Sequence, residues 1–140
     1  MIVLGAIGTR AHRAGADAPS GRYTLPGDGT VVDTKTQLTW QRVVPGSTFN
    51  WTDAMTYCQN PGLPGTGWRL PSVKELQTIV DVTLSNPAID GTAFPGTPVD
   101  TFWTSSPVAG GASQVWAVNF ADGTQFGPAV STATRVRCVR

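Results

Sequence analysis

Histidine is almost missing from this chain, His12 being the only one in 140 residues. Nucleophilic catalysis of the Ser-His-Asp kind needs a positioned imidazole, so a single histidine near the start argues against that chemistry. Cysteine is nearly as scarce. Cys58, Cys138 and His12 are spread over the whole chain, whereas a zinc site wants four such ligands at close spacing. Charge is thin as well: 14% of residues are Asp, Glu, Lys or Arg, and the net charge is +1. Such a chain projects no overall field, and its arginines are scattered rather than gathered in a run, which argues against nucleic acid as a partner. Long apolar runs are lacking too. Met1 to Gly8 falls far short of the roughly 20 residues that span a bilayer, so no membrane insertion is expected.

Glycine and proline, by contrast, are abundant at 16 and 11 residues, and with the low charge they indicate a loop-rich fold containing β-structure. A length of 140 residues suits one domain with its own core. Residues 1–20 differ in character from the rest: an apolar stretch, then Arg10, His12 and Arg13, then the small-residue tract Ala14 to Ala18. With an Ala-x-Ala site at Ala14 to Ala16, this lead reads either as the remnant of a signal peptide or as an extra arm, and a single domain is assigned to residues 21–140.

From Arg22 onward, short strands and turns alternate. RYTL, the Pro-Gly-Asp-Gly turn at Pro26 to Gly29 and TVVD read as a hairpin, since Asp-Gly supplies the positive φ that tight turns require. LTWQRV at Leu38 to Val43 is the next strand. In NWTDAMTYC, Trp51, Ala54, Met55 and Cys58 fall at i, i+3, i+4 and i+7, one apolar stripe on a helix. Asn50 is a suitable N-cap, with Asp53 placed to reach back in a capping box. The Gly/Pro loop NPGLPGTG breaks that helix. A second helix follows in WRLPSVKELQTIVD, where Ser72 and Glu75 make a capping box and Val73, Leu76 and Val80 face one side.

Val82 to Asp100 shows turn signals without a period, the mark of a loop that is either functional or packed by its own side chains. FWTSS, QVWAVNF, a turn at Ala121 to Thr124, a strand near Gln125 to Gly127 and TRVRCVR complete an antiparallel sheet. Alternation in the last strand puts Val136 and Cys138 on an inward face and Arg135 and Arg137 on an outward one. Cys58 and Cys138 would, if paired, close a loop of about 80 residues, worth roughly 4 to 5 kcal/mol in the chain-entropy treatment. The alternative is two free thiols packed in a core.

Read in order, DGTVVDTKTQLTWQR, NWTDAMTYC, WRLPSVKEL, FWTSS, VWAVNFADG and the terminal RVRCVR resemble the C-terminal domain family of the Legionella collagen-like adhesin (Lcl), over about Tyr23 to Arg140. The resemblance implies an α+β, C-type-lectin-like fold: two helices flanking an antiparallel sheet, a long irregular loop region, and a disulfide from the first helix to the last strand. It also implies a non-enzymatic binding module, secreted or at the cell surface, the periplasm included. The expected partner is a polysaccharide or sulfated glycan such as a glycosaminoglycan. A second expectation is a protein-protein assembly module of a bacterial surface structure, including a homo-oligomer. A third, on fold analogy, is a redox enzyme of the formylglycine-generating type, with Cys58 and Cys138 as its dithiol.

Sugar-binding C-type lectins hold calcium through carboxylates in the long loop and on a following strand. Here those points offer Ser85, Asn86 and Pro87, then Val118, Asn119 and Phe120, so no lectin-type metal and no cofactor are expected. Trp40, Trp51 and Trp68 stand in the fold-defining blocks and read as core. Trp103 and Trp116, bordering the irregular loops, are the candidates for a ligand face, against the competing account that they too belong to the core; Phe102 and Trp103 alternate, so only one is expected to point inward. Arg69 reads as a partner of Glu75. Arg135, Arg137 and Arg140 are the candidates for a basic patch that would grip sulfate with paired N–H groups, against the competing account of an ordinary solvated strand face.

Overall fold

The structure, a computed structural model, describes residues 19–111 and 113–140. The expectation for the lead, His12 included, lies outside the described residues except at Pro19 and Ser20.

Two small antiparallel sheets form the frame. The first contains β1 (Tyr23–Thr24), β2 (Thr30–Asp33) and β3 (Thr39–Gln41), in that order, with Val31 opposite Trp40. Its first turn forms because Gly27 and Gly29 take positive φ on either side of Asp28, whose carboxylate accepts from the Thr30 amide and hydroxyl. Asp33 ends β2 with a buried carboxylate that accepts the Arg22 fork at 3.2 and 2.9 Å and the Lys35 amide at 3.0 Å. Burial alone would raise the Asp33 pKa, but those donors outweigh it and hold the group below the usual carboxylate range.

Helix α1 (Trp51–Gln59) starts at Asn50, whose side chain accepts from the Asp53 amide, and its Ala54 and Cys58 are buried with Trp51 and Met55 packed beside them. Helix α2 (Val73–Gln77) carries both halves of the Ser72/Glu75 capping box. It is shorter than the expected segment. The Thr78 hydroxyl turns back to the Glu75 carbonyl, and Ile79 and Val80 follow as a turn that still packs on the core. Ser106 Oγ accepts from the Val73 amide and so pins the start of α2 to the second sheet, which contains β4 (Thr101–Pro107), β5 (Val115–Asn119) and β6 (Gln125–Phe126).

The expected terminal strand is present as single bridges rather than a continuous ladder. Residues 134–140 run between the sheets, with Val139 bridged to both Trp40 and Arg69 and Arg135 bridged in parallel to Phe102. Both faces of this seam are covered. A first core gathers Val31, Trp40, Leu76, Ile89, Phe94, Phe102, Val118, Phe120 and Val139. A second gathers Ala54, Cys58, Trp68, Leu70, Trp103, Ala117, Val136 and Cys138, with the Cys58–Cys138 disulfide inside it.

Strand alternation therefore sends neighbours into opposite cores rather than into core and solvent. Phe102 enters the first and Trp103 the second, both fully buried, which corrects the expectation that one of them faces out. The irregular stretch from Val82 to Asp100 is packed by its own side chains, with Ala88, Ile89 and Phe94 all buried.

Candidate functional site

The three candidate arginines of the terminal segment part company. Arg137 is buried, at 1% exposure, and lies on the face that enters the first core. Its Nη1 donates to the carbonyls of Gln41 and Arg42, its Nη2 donates to Thr97 Oγ1, and its guanidinium lies over the Phe94 ring at 4.8 Å. Desolvation in that setting pushes its pKa down to about 9. The outward-facing reading of Arg137 is thus corrected: the seam has no solvent face at this position. Arg135 is half-buried, paired with Asp100 at 3.1 Å and donating to the Gly46 carbonyl at 2.8 Å. These two residues do not build a basic surface.

Arg140 is exposed, and its position is prepared by its neighbours. Its backbone exchanges both hydrogen bonds with Thr39, which fixes where the side chain leaves the sheet. The guanidinium then lies 5.7 Å from the Trp68 ring centroid and against the backbone of Gly65, where a Cβ would stand only 2.6 Å from Cζ. Gly65 also takes φ +93°, so glycine is required there twice over. The NPGLPGTG loop is held in place as Trp68 Nε1 donates to the Pro64 carbonyl at 3.1 Å. Asp28, across the site, is held below its usual pKa by the Thr30 hydroxyl and amide and, more weakly, by the Arg140 charge. Among the described residues, Arg140 forms no ion pair, and the only other exposed cations without one are Lys35 and Lys74.

Of the candidate tryptophans, Trp103 is withdrawn: it is buried in the second core with its Nε1 donating to the Phe49 carbonyl at 2.8 Å. A fully covered ring with a satisfied N–H has nothing to offer a ligand. Trp116 is half-exposed on β5, and its carbonyl accepts from the Thr104 hydroxyl at 2.7 Å. Arg69 and Glu75 form a two-bond pair at 2.7 and 2.8 Å, a contact internal to the domain.

Sequence reasoning did not anticipate that Trp68 and Gly65 lie against Arg140. Gly65 carried a usable signal as part of a loop of repeated Gly and Pro, but nothing local says that the C-terminal arginine lies on it. It also missed a concavity of about 230 Å3 between β1 and the turn at 90–93, lined by Tyr23, Leu25, Asp90, Thr92 and Ala93 with Pro19 to Gly21 at its rim. Burial there raises the Tyr23 pKa to about 12, so its hydroxyl stays protonated.

The two cysteines have no exposed surface and no free thiol. A dithiol redox centre needs an accessible thiolate, which this burial denies.

Comparison with known proteins agrees with this picture. The model of the Lcl C-terminal domain matches residues 29–140. The chain is also similar to a solved structure described as EMS16, an antagonist of the collagen receptor integrin alpha2beta1, at 12% identity and a TM-score of 0.51. That likeness covers 87% of this chain and 98% of the other, and it shows the fold alone. No curated protein matches the chain.

Proposed function

This chain belongs to the Lcl C-terminal domain family, a family of non-enzymatic binding modules of the cell exterior, and from that premise we propose that it acts in adhesin-like recognition of a polysaccharide bearing sulfate groups. The observation that carries the proposal is Arg140: an exposed guanidinium, set over Trp68 and Gly65, with no carboxylate paired to it among the described residues. A guanidinium can present paired N–H groups to a sulfate, and contact with Trp68 and Gly65 limits the freedom that Arg140 would lose on binding. Trp116 is the second contact offered to sugar, as a half-exposed aromatic bordering the irregular loops.

The electrostatic part of this reading is modest, because Arg135 and Arg137 are engaged inside the fold. Binding should therefore fall only gently with salt, as expected for about one cation at the contact rather than three. A glycan array of the oxidised domain tests this. Arg140→Ala should weaken binding to sulfated glycans about tenfold, the scale of one charge-assisted hydrogen-bonded contact, without altering the unfolding midpoint. Silence on every glycan would remove the reading.

A second reading, assembly with another surface protein, is favoured by one specific observation. Val43, Val82 and Val99 are 62%, 84% and 49% exposed in a domain with few surface charges. EMS16, of the same fold, is described as an antagonist of a protein receptor. Concentration-dependent self-association in sedimentation, lost on Val82→Lys, would shift the assignment to assembly.

A further inference from the structure

Two features of the first sheet meet at Tyr23: an open strand edge and the concavity of about 230 Å3 beside it. The outer edge of β3 is covered, since Trp40 is bridged to Val139 and Thr39 exchanges both backbone bonds with Arg140. Strand β1 stands at the other end of the sheet and, among the described residues, pairs with β2 alone. Alternation decides which groups it presents. The Thr34 amide donates to the Arg22 carbonyl at 2.8 Å, whereas the Asp33 amide turns to Leu38 on the β3 side. Tyr23 and Asp33, which lie opposite each other, are therefore a pair without mutual bonds, and the N–H and C=O of Tyr23 point out of the open edge. An edge of this kind can take a further strand.

The concavity against that edge has walls of two kinds. Tyr23, Leu25 and Ala93 offer hydrocarbon, and Asp90 offers a carboxylate. Asp90 is firmly set, because its Oδ1 accepts from the Thr92 and Ala93 amides at 2.8 and 3.0 Å. Arg42 braces the same turn by donating to the carbonyls of Thr92 and Ala93. The Tyr23 hydroxyl stays protonated, and its oxygen can still accept a hydrogen bond. Arg22, 4.9 Å from the Tyr23 ring centroid, is committed to Asp33 and the Thr78 carbonyl. A carboxylate and a phenolic oxygen among hydrocarbon walls suit a cation carried on an aliphatic stem. Lysine fits better than arginine: Asp90 Oδ1 already takes two N–H groups, so a guanidinium fork lacks two parallel acceptors, whereas an ammonium needs only a point of negative charge.

From the open edge at Tyr23 and the acid-walled cavity beside it we infer that β1 receives an extended peptide segment of a partner protein, paired to the Tyr23 backbone and placing one lysine side chain in the cavity. Arg140 lies on the β3 side of the same sheet, so this inference and the sulfated-glycan reading stand or fall separately.

The test is a titration of the full oxidised chain, followed by amide shifts in 15N NMR, with a capped hexapeptide of valine and threonine carrying one central lysine. The amides of Tyr23, Leu25, Thr92 and Ala93 should move together and saturably, while those of Thr39 and Arg140 stay in place. Norleucine in place of the lysine keeps the stem and removes the charge, and it should weaken binding at least about tenfold. Asp90→Asn should do the same, since an asparagine oxygen still accepts from the Thr92 and Ala93 amides. N-methylation of the peptide backbone removes its strand donors and should also weaken binding. Equal affinity of the lysine and norleucine peptides overturns the inference, as do indifference to N-methylation, shifts centred on Arg140, or no saturable shift at millimolar peptide. Should Asp90→Asn fail to fold, the norleucine and N-methylated peptides decide on the unaltered chain.

Discussion

The two cores on either side of the terminal segment are closed by different means. The first is filled by bulk, with Trp40, Phe94, Phe102 and Phe120 packed among Leu76, Ile79 and Ile89, and with Phe102 edge-on to Phe120 at 5.1 Å between centroids. The second contains Ala54, Ala117 and the cystine alongside Trp68 and Trp103, and it is bounded by the Gly/Pro loop that follows α1. Burial free energy grows with apolar area, so the first core can hold itself, whereas the second relies more on the covalent link between α1 and the terminal segment. Stability in this domain is thus conditional in one place: the first core is held by its composition, the second by oxidation.

The largest effect should come from removing that link. The double variant Cys58→Ser, Cys138→Ser opens a loop whose ends are 80 residues apart, and it should cost about 4 to 5 kcal/mol in denaturant unfolding. Hydrogen exchange sharpens the comparison: amides of α1 should lose protection well before those of β2 and β3. Uniform loss across both regions would mean that the cores are one cooperative unit of equal dependence on the disulfide.

Phe102→Ala attacks the first core and should cost about 3 to 4 kcal/mol, the scale of a large aromatic truncated in a packed interior. Protection in α1 should outlast protection in β2 in this variant, the reverse of the cysteine case. Asp33→Ala comes next, at about 2 kcal/mol, since it strips the Arg22 fork and the Lys35 amide of their acceptor.

The same carboxylate predicts an acid response. Asp33 and Glu75 are both held below their usual pKa. For Asp33, burial opposes the shift and the Arg22 fork carries it; for Glu75 the Arg69 fork is the main cause. A carboxylate depressed in the folded state contributes its stability fully above its ordinary value near pH 4 and loses it as pH falls through the lowered one. Unfolding midpoints should therefore be flat from neutral to about pH 5 and drop below it, and Asp33→Asn should flatten that drop. Ser72→Ala, which removes the cap of α2, should cost only about 1 kcal/mol.

Much of the fold was legible because its signals are local. The Ser72/Glu75 box, the Asn50 cap and the Asp28 turn each depend on residues within three positions of one another, and the structure makes each of these contacts. The Arg69–Glu75 pair is nearly as local. Of the candidate site, Arg140 and Trp116 were legible. The surroundings of Arg140, namely Trp68 and Gly65, are brought there by the bridges of Val139 and the paired bonds of Arg140 with Thr39, across a separation no spacing rule reports.

By itself, then, the sequence determined the caps and turns, the apolar stripes of both helices, the family and the type of fold, because each is written in neighbouring residues or in blocks long enough to compare. Only the tertiary structure decided which charges and rings meet solvent. Alternation along RVRCVR and through Phe102 and Trp103 says that neighbours face opposite ways, but not what lies on each side. Because this seam is covered on both faces, the opposite of inward was inward again: Arg137 and Trp103 went into cores, and Arg140, one step past the last buried position, was left at the surface.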